Sequence, residues 1–105
     1  MAEKNSDKLL SLLGLARKAG RLAYGYDTVK NAVRGRKARL VLTASDLSPK
    51  TRSNVAFFCG DKIPLIALSR TMEQLSAAVG KPAGIVALTD EGFAKLILGY
   101  MTEPK

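Results

Sequence analysis

The segment GYDTVKNAVRG, residues 25–35, combines short polar side chains with bases at helical spacing. Asp27, Thr28 and Asn31 can exchange hydrogen bonds with polar groups such as the edges of nucleobases. Lys30 and Arg34 are four residues apart, which places two positive charges on one helical face. Backbone N–H groups at the start of such a helix favour phosphate. The segment therefore predicts either ordinary helix capping with solvated bases or a surface that binds nucleic acid.

The charge of the whole chain favours the second interpretation. The 105 residues include 17 Lys and Arg against 9 Asp and Glu, for a net charge of +8 at pH 7. Eight of these bases lie between Arg17 and Arg39, where Asp27 is the only acid. A solvated face that maintains solubility is the alternative, but bases this concentrated favour a polyanionic partner.

The composition excludes several kinds of catalytic site. The chain has no histidine and one cysteine, Cys59, so a Ser-His or Cys-His pair and an internal disulfide are impossible and a zinc site is improbable. Cys59 lies in the apolar run AFFC and is predicted to pack as a small hydrophobe. No P-loop or dinucleotide-binding glycine motif is present. We predict a protein that is not an enzyme and needs no metal or cofactor; a small enzyme or a ligand-binding domain is a further alternative.

Scattered acids are better explained as helix caps than as a catalytic carboxylate pair. They are Asp46, Asp61, Asp90 and Glu91.

The N-terminal segment MAEKNSDKLL carries acids and no long apolar run, which argues against a secretory signal. Apolar stretches elsewhere are too short to span a bilayer. We expect a single domain over residues 1–105, in the cytoplasm and without a membrane partner.

Apolar runs alternate with helical patterns, which predicts an α/β domain with a three-layer α/β/α sandwich. The predicted helices cover about 7–18 with Ser6 as cap, 26–34 ending at Gly35, 49–59 after a Ser48 cap, 71–79 with a capping box and ending at Gly80, and a last helix capped by Thr89. The predicted strands cover 21–24, 38–44, 63–68 and 84–89.

Two long segments carry a family resemblance. Gly25 through Arg36 followed by ARLVLTASDLSPKT, and IPLIALSRTMEQLSAAVGKPAGIVALTD, resemble the kink-turn-binding ribosomal-protein family, the L-seven-Ae and L-thirty-e group. LLGLARKAGRL and TDEGFAKLI are similar to its bacterial YlxQ branch, small proteins regarded as RNA-binding. The resemblance covers about residues 8–99 and implies a four-stranded mixed sheet and binding to sharply bent RNA with sheared G·A pairs.

The resemblance also implies positions for the RNA contacts. The family's Asn-Glu-x-x-Lys pattern, which reads the G·A pairs, falls on Asp27, Thr28 and Asn31. Ser45 and Asp46 stand where the family often has an acidic pair. The segment Gly80-Lys81-Pro82-Ala83 matches the loop that packs on a flipped-out nucleotide.

The predicted RNA-binding set joins these positions to nearby bases. Lys30, Arg34, Arg36 and Lys37, with Arg21 near the helix start, are expected to contact phosphates. The alternative is a protein-interaction module associated with the ribosome or the transcription machinery, which would dock through apolar loop residues such as Pro82 and Ala83. The complete set is Arg21, Gly25, Asp27, Thr28, Lys30, Asn31, Arg34, Arg36, Lys37, Ser45, Asp46, Lys81, Pro82 and Ala83.

Overall fold

The computed structural model describes residues 8–102, in which five helices alternate with four strands. The helices are α1 (Lys8–Lys18), α2 (Tyr26–Arg34), α3 (Pro49–Cys59), α4 (Met72–Val79) and α5 (Glu91–Thr102). The strands are β1 (Leu22–Tyr24), β2 (Leu40–Thr43), β3 (Leu65–Ala67) and β4 (Ile85–Leu88). Each strand is shorter than the apolar run that predicted it. The predicted cap Ser6 lies outside the described residues.

The four strands form one mixed sheet in the order β1-β4-β2-β3. β4 pairs antiparallel with both β1 and β2, whereas β2 and β3 are parallel. Every residue of β2 and β4 is buried. These two central strands are covered on both faces, which explains why their sequences, LVLT and IVAL, do not alternate between apolar and polar residues.

Helices cover both faces of the sheet, and the predicted three-layer α/β/α arrangement is confirmed. Successive side chains of a strand point to opposite faces, so Leu40 and Leu42 join one apolar cluster while Val41 joins the other. The first cluster is built with α1, α4 and α5, and the second with α2 and α3. Cys59 belongs to the second cluster and is fully buried, as predicted for a small hydrophobe.

Two predicted helix starts have the expected capping bonds. The Ser48 hydroxyl oxygen accepts from the backbone N–H of Thr51 at 3.2 Å, and Pro49 follows as the first residue of α3. Thr71 and Gln74 form a reciprocal capping box at the start of α4. Each cap satisfies a backbone N–H that has no partner inside its helix.

The cap predicted for α5 was wrong by one residue. The carboxylate of Asp90, not the hydroxyl of Thr89, accepts from the backbone N–H of Phe93 at 2.9 Å. Thr89 still belongs to the end of the sheet, because its N–H donates to the carbonyl of Arg21 at 3.0 Å. The last helix therefore begins one residue later than its sequence suggests.

The end of α2 has the bond pattern of a Schellman motif with an unusual occupant. The N–H of Arg36 donates to the carbonyl of Val33 at 3.1 Å, and that of Lys37 to the carbonyl of Ala32 at 2.8 Å. The left-handed residue that this motif requires is Arg36, with φ 62°, whereas Gly35 has φ −83°. Glycine is usual at that position because a side chain there costs about 1 kcal/mol.

The strand directions divide the predicted site residues between two ends of the sheet. β1 and β2 end, and β4 begins, beside the start of α2, since Tyr24 pairs with Val86 and Thr43 with Ile85. At the other end, Leu88 pairs with both Leu22 and Leu40. Among residues 8–102, no helix is both long and apolar enough to cross a bilayer.

Candidate nucleic-acid interface

The start of α2 leaves backbone donors free. Gly25 precedes the helix with φ 93° and ψ 152°, a conformation that favours glycine, and its N–H donates to the carbonyl of Ile85 at 3.0 Å. No side chain of the residues that the structure describes caps this helix. The first N–H with a partner inside α2 is that of Val29, which donates to the carbonyl of Gly25. Within the described residues, the N–H groups of residues 26–28 therefore remain available to a ligand.

Asp27 does not cap α2, so the capping interpretation of this acid and of Thr28 was wrong. Asp27 is the second residue of the helix, its side chain is exposed, and it makes no hydrogen bond or ion pair within residues 8–102. Its charge lies near the positive end of the helix dipole, which stabilises a carboxylate there. Thr28 beside it is exposed as well. Both side chains are free to meet a ligand.

One turn further, Lys30 is held against an aromatic ring. Its ammonium nitrogen lies 5.9 Å from the centroid of the Tyr26 ring, within cation–π range. Tyr26 in turn packs edge-to-face on Phe58 of α3, with 5.6 Å between ring centroids. Asn31 is exposed next to Lys30. The lysine thus carries its charge on a half-buried, oriented side chain.

Two loops meet beside the start of α2. The N–H of Ala44, after β2, donates to the carbonyl of Gly84 at 2.9 Å. A Cβ built on Gly84 would lie 2.7 Å from the Met72 sulfur, so the loop before β4 packs directly on the start of α4. Loops 44–48 and 80–84 therefore flank the same end of the sheet. We call this end the helix-start surface; its predicted members are Gly25, Asp27, Thr28, Lys30, Asn31, Ser45, Asp46, Lys81 and Pro82.

Asp46 and Ala83 have structural contacts in these loops. Asp46 Oδ1 accepts from the backbone N–H of Met72 at 2.8 Å, so this carboxylate already holds the start of α4. The Ala83 side chain is buried in the first apolar cluster, and its N–H donates to the Ser76 hydroxyl at 2.9 Å. Ala83 therefore cannot present a docking side chain, and the prediction that it does was wrong. Pro82 and Lys81 are exposed.

The remaining predicted bases lie at the opposite end of the sheet. α2 runs away from Gly25, and its nine residues carry Arg34 about 12 Å from the helix start. Arg21 precedes β1, whose three residues separate it from that start, so the expectation that it lies near there was wrong. All the bases of this group are exposed: Arg21, Arg34, Arg36 and Lys37.

Two further arginines support the helix-start surface and were missed from the sequence. The Arg52 guanidinium donates to the carbonyls of Ala44 and Ser45 at 3.1 and 3.2 Å, which fixes the loop after β2. The Arg17 guanidinium lies 5.7 Å from the centroid of the Tyr24 ring and beside Gly80. In the sequence, Arg17 was indicated only as one of the eight bases between residues 17 and 39. Nothing in the local sequence around Arg52 indicated its role.

No group of three or more His, Cys, Asp or Glu side chains within residues 8–102 could hold a metal ion. What the interface offers is backbone N–H donors, short polar side chains and cations in a three-layer α/β/α domain. These features define a binding domain for a polyanion with exposed hydrogen-bonding groups. Residues 7–98 match the Ribosomal protein L7Ae/L30e/S12e/Gadd45 family, and the chain belongs to that family.

Relatives extend over nearly the whole chain. It is 34% identical over 100 residues to the RNA-binding protein YlxQ of Enterococcus faecium, covering 90% of this chain and 92% of that protein. It is 37% identical over 93 residues to the RNA-binding protein YlxQ of Bacillus subtilis, covering 86% and 91%. A solved structure from Bacillus halodurans, of a protein of unknown function, superposes with a TM-score of 0.85 at 32% identity and covers 91% of this chain and 98% of that one. The predicted YlxQ-like branch of the family is thus confirmed, and the names of the first two relatives agree with a protein that is not an enzyme.

Proposed function

We propose that the protein binds structured RNA of the kink-turn class through its helix-start surface. Both YlxQ relatives are named as RNA-binding proteins, and the chain matches each over more than four-fifths of its length. The observation that carries the proposal is the uncapped start of α2, where free backbone N–H groups adjoin exposed short polar side chains. RNA is a ligand with both phosphates and open base edges. The sequence predicts a cytoplasmic protein, which is consistent with an RNA ligand.

The positions of the side chains indicate which of them would contact bases and which would contact phosphates. Asp27, Thr28 and Asn31 occupy one exposed part of α2, as the G·A-reading residues of the family would. Asp27 can accept a hydrogen bond from a guanine N–H or an exocyclic amine but cannot donate one. Asn31 can do both. Lys30, oriented by Tyr26, supplies a positive charge on the same helix for a phosphate.

The loops would complete the surface around the bent RNA. Lys81 and Pro82 are exposed beside Gly80, where the Arg17 guanidinium also lies. A nucleotide turned out of its stack would pack on Pro82, with its phosphate near these two cations. One oxygen of Asp46 is engaged by Met72, so Asp46 is expected to shape its loop and Ser45 to face the RNA.

The experiment compares two RNA hairpins by fluorescence anisotropy. One contains a kink-turn with sheared G·A pairs, and the other has Watson–Crick pairs in their place. We expect tighter binding to the first, and loss of that preference in Asn31→Ala. The matched control is Lys95→Gln on α5, whose ammonium forms an exposed ion pair with Glu91 at 3.8 Å. Equal affinity of the unmodified protein for both hairpins would contradict kink-turn recognition, and failure to bind either would contradict the proposed function.

Protein docking is the second candidate, and one observation favours it. Phe57 of α3 is 89% exposed, far more than any other large apolar side chain of the described residues. An exposed aromatic of this kind is common at protein interfaces. A ribosomal or transcription protein that remains bound after nuclease treatment, and is lost in Phe57→Ser, would support this function.

A further inference from the structure

A basic cleft lies at the C-terminal end of α2, away from the helix-start surface. It has a volume of about 520 Å³ and is lined by four cations, Arg34, Arg36, Arg39 and Lys62. The rest of its lining is mostly apolar and comes from Val33, Ala38, Phe58 and Ile63. Because the lining comes from both α2 and the segment after α3, the cleft is a feature of the fold that no single stretch of sequence reveals.

The charge of this cleft is uncompensated. None of its four cations pairs with a carboxylate among the residues that the structure describes. The nearest acid in sequence is Asp61, which is exposed and adjacent to Lys62 but forms no ion pair with it. Four like charges around one concavity repel each other and concentrate a positive potential in it. A bound anion would relieve that repulsion.

The backbone at Arg36 gives a second, independent indication of a binding role. Arg36 occupies the left-handed position of the turn after α2, with φ 62°. Glycine is favoured at that position, yet the glycine of this turn is Gly35, one residue earlier, where no positive φ is needed. The protein therefore carries a guanidinium where it weakens the fold. Strained residues of this kind concentrate at functional sites.

We propose that the basic cleft binds the phosphate backbone of a second RNA segment, separate from the segment held at the helix-start surface. This inference rests on the proposed function for its ligand class, RNA, but it concerns a different site. One guanidinium group can bind two oxygens of a phosphate through two parallel N–H bonds. The cleft presents three guanidinium groups. Asp27 and Arg34 are seven residues apart on one helix, about 10 Å along its axis, so one RNA can reach both sites.

RNA fits the cleft better than an acidic peptide does. Phe58, a half-buried aromatic residue of α3, forms part of its wall. An aromatic ring beside a row of cations is the combination that binds single-stranded nucleic acid, because phosphates meet the charges while bases stack on the ring. An acidic peptide would use the charges but would have no need of the ring.

The test measures binding of fluorescent oligouridylate and of the kink-turn hairpin to a set of cleft variants. In Arg34→Gln/Arg39→Gln, we expect the slope of log K against log salt to flatten by roughly 1.4 for oligouridylate, because two phosphate contacts are lost. In Arg36→Gly, we expect affinity to fall roughly 3- to 10-fold while the Tm rises by roughly 2 to 8 °C, because the substitution removes a charge and relieves the strained backbone. Lys95→Gln removes one positive charge on the other face of the sheet. It should change neither the affinity nor the Tm.

The outcomes separate the two proposals. Weaker oligouridylate binding in the cleft variants, with the G·A preference of the hairpin retained, supports the cleft as a second site. Cleft variants that bind oligouridylate like the unmodified protein overturn it, even if the hairpin is recognised. Fluorescent polyglutamate that binds the cleft more tightly than oligouridylate overturns the choice of RNA and favours an acidic protein segment.

Discussion

Asp46 Oδ1 lies 2.8 Å from the backbone nitrogen of Met72, 26 residues further along the chain. This bond joins the loop after β2 to the first turn of α4, which Thr71 caps from within its own segment. Two side chains thus satisfy the start of one short helix. Asp46, which the family resemblance places at an RNA contact, therefore also holds the loop after β2 against the start of α4.

Replacing Asp46 with alanine is expected to destabilise the protein. The substitution removes the acceptor for the Met72 N–H and a negative charge at the start of α4, which together are worth about 0.5–2 kcal/mol. The free energy of unfolding can be measured by urea denaturation. Asp46→Asn keeps an acceptor oxygen and should lose less. Equal losses in the two variants would mean that the hydrogen bond contributes nothing beyond the charge.

Replacing Arg52 with methionine is expected to loosen the loop after β2. Methionine keeps an apolar stem but leaves the carbonyls of Ala44 and Ser45 without their charged donor, at a cost of about 1.5–3 kcal/mol. Hydrogen exchange should accelerate at the backbone of residues 44–47. Arg52→Lys is the matched variant, since it keeps the charge without the planar fork. Unchanged exchange in Arg52→Met would contradict the role of this guanidinium in fixing the loop.

Replacing Asp27 with asparagine is expected to raise affinity for the kink-turn hairpin roughly 3- to 10-fold. The amide can donate as well as accept, and the change removes a negative charge that repels phosphate at the exposed start of α2. Anisotropy titrations with the two hairpins measure the gain. The matched control is Glu91→Gln, which removes an exposed acid from α5 at the opposite end of the sheet. A similar gain in both variants would show that net charge alone, and not contact at Asp27, sets the affinity.

Burial raises the pKa of the Cys59 thiol above its ordinary value. The native state therefore keeps its proton to higher pH than the unfolded state does. The stabilisation is complete below the unfolded pKa of about 8.5 and is lost as pH rises through the raised folded value. We expect the free energy of unfolding to fall with pH above about 8.5 more steeply than in Cys59→Ala. Parallel pH profiles of the two proteins would exclude this contribution.

Element types and most caps could be predicted from the sequence because they rest on local chemistry. Ser48-Pro49 and the TMEQ segment encode their helix starts in consecutive residues. The cap of α5 could not be placed to the residue, since Thr89 and Asp90 are both good caps. The choice between them depends on the bond from Thr89 to Arg21, which joins distant segments.

The candidate site was only partly predictable for a related reason. Asp27, Thr28 and Asn31 share one helix, so their proximity follows from helical spacing alone. Bases that are close in sequence were grouped with them, but α2 carries Arg34 to the far end of the sheet, and β1 does the same for Arg21. Arg52 acts through contacts with a loop five to eight residues away, which only the folded chain brings within reach.

The order of the strands has a consequence for synthesis of the chain. Among the strands of residues 8–102, β4 is the last in sequence, lies between β1 and β2, and is the only neighbour of β1. As the chain leaves the ribosome, β1 has no partner until residues 85–88 have emerged, more than sixty residues later. Long-range pairing of this kind is slow to form because it must close a long loop first. β1 therefore joins the sheet late, and the helix-start surface, which includes the bond from Gly25 to Ile85, is completed only then.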